Sequence, residues 1–350
     1  MGTVWRLQTR TDSKDGKKIS KYCLKHNVAA LGWSIKDDHI KKYNPEAIIE
    51  IQEKRKQIKN IDEYYDVVRK YGLYGINNKK RLIAVDMLTE VKKGDYIWMR
   101  DGGIYYLGYV GDDLRCVYNP SIDAPEHEAD NLRYIYDPSN DALEHDAANQ
   151  IVGIEWKLIG DESQVPGVIA TAFIRGRTLQ RVQKAYMYEY ASFIYNGDPL
   201  VLNVESNESL KQLFYNCLSP SDCEDLVCLY LYDKANYIAI PSTNKIATEL
   251  YECVLVNPLN GKLAYPQVKK GGKGLNTNDY IELVKDHPNK EVYLFTSEGK
   301  VVVDTHIDNI HSISSDELYS WVKEKIEGNS FLIPEGIVKW YKLIHSSKNS

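Results

Sequence analysis

The stretch ATELYECVLVNPLNGKLAYPQVKKGGKG, Ala247 to Gly274, decides how the second half of the chain folds. Asn260-Gly261 is the strongest short-range hairpin signal, because a two-residue type I′ turn needs positive φ at both central residues. With that turn, Leu259 pairs with Lys262, and counting outward sets Val254 opposite Gln267 and Glu252 opposite Lys269. Side chains alternate with period 2, so Glu252, Val254, Gln267 and Lys269 share one face, while Cys253, Leu255 and Val268 make the other face apolar. A carboxylate, an amide and an ammonium therefore converge where a sheet ordinarily places packing residues.

Two readings of this face stand side by side. In one, Glu252 ligates a divalent cation, a hard ion that prefers oxygen donors, and the backbone carbonyl of Val268 supplies a second oxygen. Lys269 then orients the attacking water or stabilises charge developing on a phosphate. In the other, Glu252 and Lys269 form a cross-strand ion pair worth about 0.2–1 kcal/mol that only fixes register.

The flanking sequence from Ser219 to Gly274 resembles the PD-(D/E)xK nuclease superfamily, within it the Mrr-like restriction nucleases that carry QxK. The motif stands as Gln267-Val268-Lys269, preceded by an acid on the previous strand. The first core helix of that family often adds an acid, matched by Glu224 in SPSDCEDLVCLYLY. The acid before QxK is Glu252 where Asp is usual, and no Pro-Asp dipeptide precedes it. The resemblance covers roughly 150 residues and implies catalytic roles for Glu252, Gln267, Lys269 and Glu224.

At 350 residues the chain is long enough for two domains with separate cores. Its net charge of −5 supplies no global field for nucleic acid, so any such binding needs local basic patches. Lys79-Lys80-Arg81, the run Arg175, Arg177, Arg181 and Lys184, and the cluster Lys269, Lys270 and Lys273 are the candidates, each also readable as a solvated face. The 27 Tyr against 5 Phe suit partly wet faces or stacking on bases, and equally a compositional habit of the source genome. Six cysteines show no CxxC pair and no zinc spacing. With no signal peptide and no apolar run near 18 residues, a reducing cytoplasm and no membrane are expected.

Taken in order, VWRLQT reads as a strand and Val28 to Ile35 as an apolar run ending in Gly32-Trp33-Ser34. Asn44-Pro45-Glu46 starts a helix, with Asn as N-cap and Pro at the first position. Val91 to Asp113 looks like two strands around Asp101-Gly102-Gly103. Leu114 to Asn149 is an acidic excursion in which His127 and His145 invite a metal assignment but read better as loop residues. IVGIEWKLIG is expected to be one strand, followed by a short strand after Val165-Pro166-Gly167 and a helix beginning near Thr178. Ser219-Pro220 starts another helix, Tyr237 to Thr243 is a strand, and EVYLFTSEGKVVVDTHI supplies two strands around Glu298-Gly299. Asp304 and His306 sit at the end of the second. DELYSWVKEKIEG and the segment after Pro334 are helical.

Gly32-Trp33-Ser34, Lys93-Gly94-Asp95 with Trp98, Leu107-Gly108-Tyr109-Val110, Glu155-Trp156, Val165-Pro166-Gly167 and Thr178-Leu179-Gln180 are collinear with the motifs of PUA-like readers related to EVE domains. That resemblance spans about residues 4–185, and the acidic excursion departs from it. It implies a small β-barrel that takes a flipped base into an aromatic pocket, because aromatic faces restore part of the stacking an extruded base loses. Trp33 and Trp98 are assigned to that pocket with Tyr105 or Tyr106 as a third wall, core packing being the competing account of each Trp.

The expected fold is thus an α+β PUA/EVE-like barrel domain over 1–195 and an α/β PD-(D/E)xK domain over 196–350, with a central mixed sheet flanked by helices. The two resemblances together imply a Mg²⁺-dependent endonuclease of prokaryotic anti-phage defence. It would cut DNA carrying modified bases such as methylated or hydroxymethylated cytosine, with Arg175, Arg177, Lys270 and Lys273 on the DNA backbone. No P-loop is present, so no nucleotide cofactor is expected. Double-strand cleavage by one active site per chain favours a homodimer. The rival is a reader of modified nucleic acid whose nuclease-like domain binds without cutting.

Overall fold

The computed structural model describes residues 2–9, 18–76, 82–111, 134–174, 177–197, 202, 209–245, 250–303 and 307–348. Lys79, Lys80, Arg81, His127, Arg175, Asp304 and His306 lie outside the described residues. The chain forms two compact units. One comprises Met1–Glu162, Thr171–Gln183 and Ile194–Gly197, the other Ser163–Ala170, Lys184–Phe193 and Asp198–Ser350. The chain therefore passes between the units several times, where the sequence suggests one crossing near residue 195.

The first unit is built on strands β1 (Val4–Leu7), β2 (Val28–Leu31), β3 (Tyr96–Asp101), β4 (Ile104–Val110), β5 (Tyr134–Tyr136), β6 (Asn149–Val152), β7 (Ile154–Gly160) and β8 (Leu179–Arg181). They form a five-stranded sheet in the order β7-β4-β3-β1-β8 and a three-stranded sheet in the order β2-β6-β5. Among the described residues of this unit only the β1–β3 pairing is parallel. Among the described residues no sheet closes into the expected barrel, and the larger sheet ends at edge strands β7 and β8. Gly153, at φ 75°, breaks the run read as one strand into β6 and β7, which belong to different sheets. The Gly102-Gly103 turn does form, with φ of 57° and 90° at its two residues and Asp101 paired with Ile104.

Helices α1 (Ile19–His26), α2 (Asp37–Tyr43), α3 (Ile48–Arg55), α4 (Ile61–Lys70), α5 (Ile83–Leu88) and α6 (Asn140–Glu144) complete this unit. Asn44 and Pro45 open a single 3₁₀ turn ahead of α3, and Asn60 caps α4 by accepting from the Glu63 N–H. Tyr64, Tyr65 and Val68 of α4 pack into one core with Trp5, Leu7, Ile97 and Met99. Thr178 leads into strand β8 rather than a helix, and the segment after Pro166 is helix α7 (Gly167–Ala172) rather than a strand. The next helix, α8 (Met187–Asn196), starts about nine residues later than the sequence suggests.

The second unit continues with α9 (Leu210–Cys217), α10 (Pro220–Ala235), β9 (Ile238–Ala239), β10 (Leu255–Val256), β11 (Leu263–Lys269), β12 (Leu275–Asn276), α11 (Ile281–Val284), β13 (Lys290–Thr296), β14 (Val301–Val302), β15 (Ile310–Ile313), α12 (Ser315–Glu327) and α13 (Glu335–Lys348). Its sheet runs β15-β13-β11-β10-β9 and is mixed. Strands β9, β10 and β11 are antiparallel neighbours, and β11, β13 and β15 run parallel. Helix α10 packs on β11 and α12 on α10. Tyr265, Leu275, Tyr280, Val284, Val292 and Leu294 form a separate small core.

The Glu298-Gly299 turn does not make the expected hairpin, because β14 leaves β13 and pairs in parallel with β12. The Thr296 hydroxyl reaches the carbonyls of Gly271 and Lys273 at 3.1 Å and accepts from the Gly299 N–H at 3.0 Å, turning the chain aside. Only glycine fits there, since a Cβ on Gly299 would stand 2.4 Å from the Lys273 carbonyl oxygen. No helix among the described residues is long and apolar enough to cross a membrane.

Candidate functional site

Ser219 and Pro220 start α10 as their residue types dictate, with Ser219 and Asp222 capping one another reciprocally. Four residues on, Glu224 borders the face of α10 that packs on β11. The 258–261 loop, which begins beside the C-terminal end of α10 where Asn257 Nδ2 donates to the Ala235 carbonyl at 2.8 Å, differs from the expected two-residue turn. The Asn257 side chain accepts from the Leu259 N–H at 2.8 Å, its carbonyl accepts from the Gly261 N–H at 2.9 Å, and its N–H donates to Lys262 at 2.8 Å. Of the two expected turn residues only Gly261, at φ 73°, has positive φ. Asn257 and Pro258 thus begin the turn early, and Leu255 pairs with Ala264 and Val256 with Leu263. The slip is two residues, so every side chain keeps its expected face.

The Glu252 N–H donates to the Pro266 carbonyl at 2.9 Å, which sets Glu252 beside Gln267 instead of Lys269. Glu252 Oε1 then accepts from Gln267 Nε2 at 3.0 Å and from Lys269 Nζ at 3.4 Å. Gln267 is 1% exposed, and its Oε1 is buried without a hydrogen-bond partner. Leaving a buried acceptor unsatisfied costs about 1–3 kcal/mol, so a further donor or a cation at Gln267 Oε1 would be stabilising. Burial, and then the Glu252 charge, push the Glu224 carboxyl up to about 7, with Lys269 opposing. Val268 points its side chain to the opposite face, where it is buried with Cys253 and Leu255.

Glu224, Glu252 and the Gln267 amide are hard oxygen donors of the kind Mg²⁺ accepts, so the residues present fit that ion. They are few: among the described residues no group of three His, Cys, Asp or Glu side chains is gathered to hold a metal.

Several neighbours of this site escape sequence reasoning. Tyr280 is buried, and burial, then Asp279 and Glu252, raise its phenol to about 12. Lys184 Nζ donates to the carbonyls of Asn216 at 2.6 Å and Leu218 at 3.2 Å, and Lys270 Nζ shares Asn216 at 3.3 Å. Burial and the nearby Lys270 charge lower Lys184 to about 8. Two ammonium groups therefore meet at the end of α9. Only the run of basic residues ending at Lys184 hinted at this. Cys228 and Cys253 bring their sulfurs to 3.7 Å beside the carboxylates. Lys273 is exposed, and in the first unit Arg177 is exposed. Arg181, by contrast, is paired with Glu90 at 2.7 Å.

The aromatic residues of the first unit do not assemble into one pocket. Across the sheet Arg6 pairs with Trp98 and Trp98 with Leu107, whereas Met99 pairs with Tyr106 and Arg100 with Tyr105. Trp98 and Tyr105 therefore share one face, and Tyr106 lies on the other with Met99. Trp98 and Tyr105 are 0% exposed, which leaves no open ring face for a base. Tyr105 instead meets Phe173 edge-on, with ring centroids 5.5 Å apart. Trp33 and Tyr106 pack against the core on the opposite face.

Trp33 has φ 63°, a left-handed conformation that bulky residues rarely hold without cause. Its carbonyl accepts from the Tyr64 hydroxyl at 2.9 Å and from Asn149 Nδ2 at 3.1 Å. The next N–H, of Ser34, donates to Asp146 Oδ1 at 2.9 Å, and the Tyr74 hydroxyl donates to the Ser34 carbonyl. Trp33 as a whole is partly buried. Asp95 proves structural, since its carboxylate accepts from Trp5 Nε1 at 2.8 Å and from the Thr3 and Lys92 N–H groups. His145 caps the C-terminal end of α6 instead of lying in a solvated loop, with its ring tilted against that of Tyr22 at 5.6 Å and its Nδ1 2.8 Å from the Asp141 carbonyl. No family model, no curated protein and no solved structure matches this chain.

Proposed function

We propose that the second unit is a Mg²⁺-dependent phosphodiesterase acting on DNA, and that the first unit reads modified bases for it. The observation that carries this reading is the convergence of Gln267 and Lys269 on one carboxylate oxygen of Glu252, with Glu224 in the same field and an orphan amide oxygen beside them. The mixed sheet with α10 against β11 supports it, being the arrangement the QxK resemblance implies. Mg²⁺ held by Glu252, Glu224 and Gln267 Oε1 would supply a more acidic bound water and offset phosphate charge.

The chain's own residues account for the rest. Lys269, at the end of β11, donates to whichever anion occupies the site, Glu252 in the free protein and a phosphate oxygen in the complex. Without the ion Glu224 titrates near neutral pH, so an ion bound there would displace its proton. Lys184 and Lys270 give a cationic patch for a neighbouring backbone phosphate. Trp33, left-handed and only partly buried, is an aromatic of the first unit that would stack on an extruded base.

The test is purified protein with Mg²⁺ and matched modified and unmodified plasmids. Nicking confined to the modified plasmid and abolished by EDTA is expected. No cleavage of either plasmid with retained binding would assign the chain to binding alone.

A further inference from the structure

We propose that Cys228 and Cys253 form a redox-sensitive dithiol that closes to a disulfide under peroxide and so controls the placement of Glu252. The control of Glu252 rests on the phosphodiesterase reading, while the disulfide itself does not. The two sulfurs stand 3.7 Å apart, both thiols are free, and they come from different elements. Cys228 lies one turn after Glu224 on α10, and Cys253 directly follows Glu252. Both acids of the site are thus one short step along the backbone from a thiol of the pair.

Cys228 is partly buried and Cys253 is buried, so peroxide reaches the pair from the Cys228 side and the neighbouring sulfur acts as the resolving thiol. Cys23, Cys217 and Cys223 are each 0% exposed. One sulfur of the pair, as its thiolate, attacks hydrogen peroxide, the O–O bond breaks, and hydroxide leaves as water after taking a proton, giving a sulfenic acid. The other sulfur then attacks the oxidised one, the S–O bond breaks, and a second water leaves with the second thiol's proton. Peroxide gains the two electrons that the two thiols lose.

Closure must bring the sulfurs from 3.7 Å to about 2.0 Å. The segment around Cys253 can move to allow it, because β10 is only Leu255–Val256 and the Tyr251–Val254 stretch is outside any strand. Its backbone bonds include Glu252 N–H to the Pro266 carbonyl, Val254 N–H to the Thr243 hydroxyl and Ile240 N–H to the Val254 carbonyl, at 2.9 Å each, and none of them holds Cys253 itself. Drawing Cys253 toward α10 displaces Glu252 from Gln267 and Lys269, and a shift of about 1 Å in such a group costs about a hundredfold in rate.

The experiment treats the reduced full-length protein with stoichiometric peroxide and maps its peptides without reductant. A cross-linked peptide joining Cys228 to Cys253 is expected, absent in both C228S and C253S, each checked for an unchanged melting transition. C228A and C253A serve where a serine variant fails to fold. Either cysteine carried to sulfinic acid with no cross-link would overturn the proposal. Nicking of modified plasmid should fall about tenfold or more on oxidation and return with dithiothreitol, and C228S should nick equally before and after peroxide. Full nicking by the cross-linked protein would overturn the control of Glu252. Because the cross-link is read by mass, a protein that cross-links but never nicks DNA rejects the phosphodiesterase reading and not the dithiol.

Discussion

The two large sheets handle side-chain alternation differently. In the second unit Gln267 and Lys269 are two residues apart on β11, so they share a face, and Glu252 lies on the same face through its bond to Pro266. In the first unit Tyr105 and Tyr106 are adjacent on β4 and point to opposite faces, so Trp98 keeps only Tyr105 beside it. The polar set is gathered around one carboxylate oxygen, whereas the aromatic set is divided between two packed layers. A constellation spaced by even numbers survives on a strand even when the register slips by two, and one that mixes odd and even positions does not.

The largest effect that sharpens this contrast belongs to Trp98. Trp98→Ala empties a fully buried site and should lower unfolding free energy by about 3–5 kcal/mol in urea titration, with no selective loss for modified DNA. A stable Trp98→Ala protein that had lost only modified-base binding would restore Trp98 to the pocket. Trp33→Ala should behave in the opposite way. It removes a side chain that is only partly buried, so affinity for modified duplex should drop by about 1–3 kcal/mol in fluorescence titration, with unmodified duplex barely affected.

How much of this was legible follows from the kind of signal each element carries. The Ser219-Pro220 start of α10, the Asp101-Gly102-Gly103 hairpin and the shared face of Glu252, Gln267 and Lys269 depend on local chemistry, and all three are present. The Asn260-Gly261 turn was outcompeted by Asn257, whose side chain caps an earlier turn that dipeptide counting does not weigh. The β6–β7 break depends on one glycine, and the meeting of Lys184 with Lys270, or Cys228 with Cys253, depends on tertiary packing that no spacing announces.

Smaller effects lie in the charge balance of the second unit. Gln267→Glu places a second carboxylate beside Glu252, so the metal-free protein should melt lower, while Mg²⁺ affinity in calorimetry should stay level or rise by up to about tenfold. A loss of metal binding would show that Gln267 does not face the ion.

Glu224 sets the smallest effect and gives it a sign. Its folded pKa of about 7 lies above the usual carboxylate value of 4.5, so between those values the folded state binds more protons than the unfolded one. Stability without metal should therefore fall as pH rises from about 4.5 to 7, by about 1 kcal/mol once solvent screening of a half-exposed group is allowed for. Glu224→Gln should flatten that slope in pH-dependent melting. Mg²⁺ binding should strengthen over the same rise in pH, because the ion competes with the proton on Glu224.

The most direct measurement is the rate of Mg²⁺-dependent nicking of modified plasmid by the unmutated protein, Glu252→Ala and Lys269→Ala, with DNA affinity and melting recorded for each. Loss of about a hundredfold or more in rate for both variants, with fold and affinity kept, is the predicted result. Undiminished nicking by either variant would contradict the assignment of phosphodiester cleavage to the face that Glu252, Gln267 and Lys269 share.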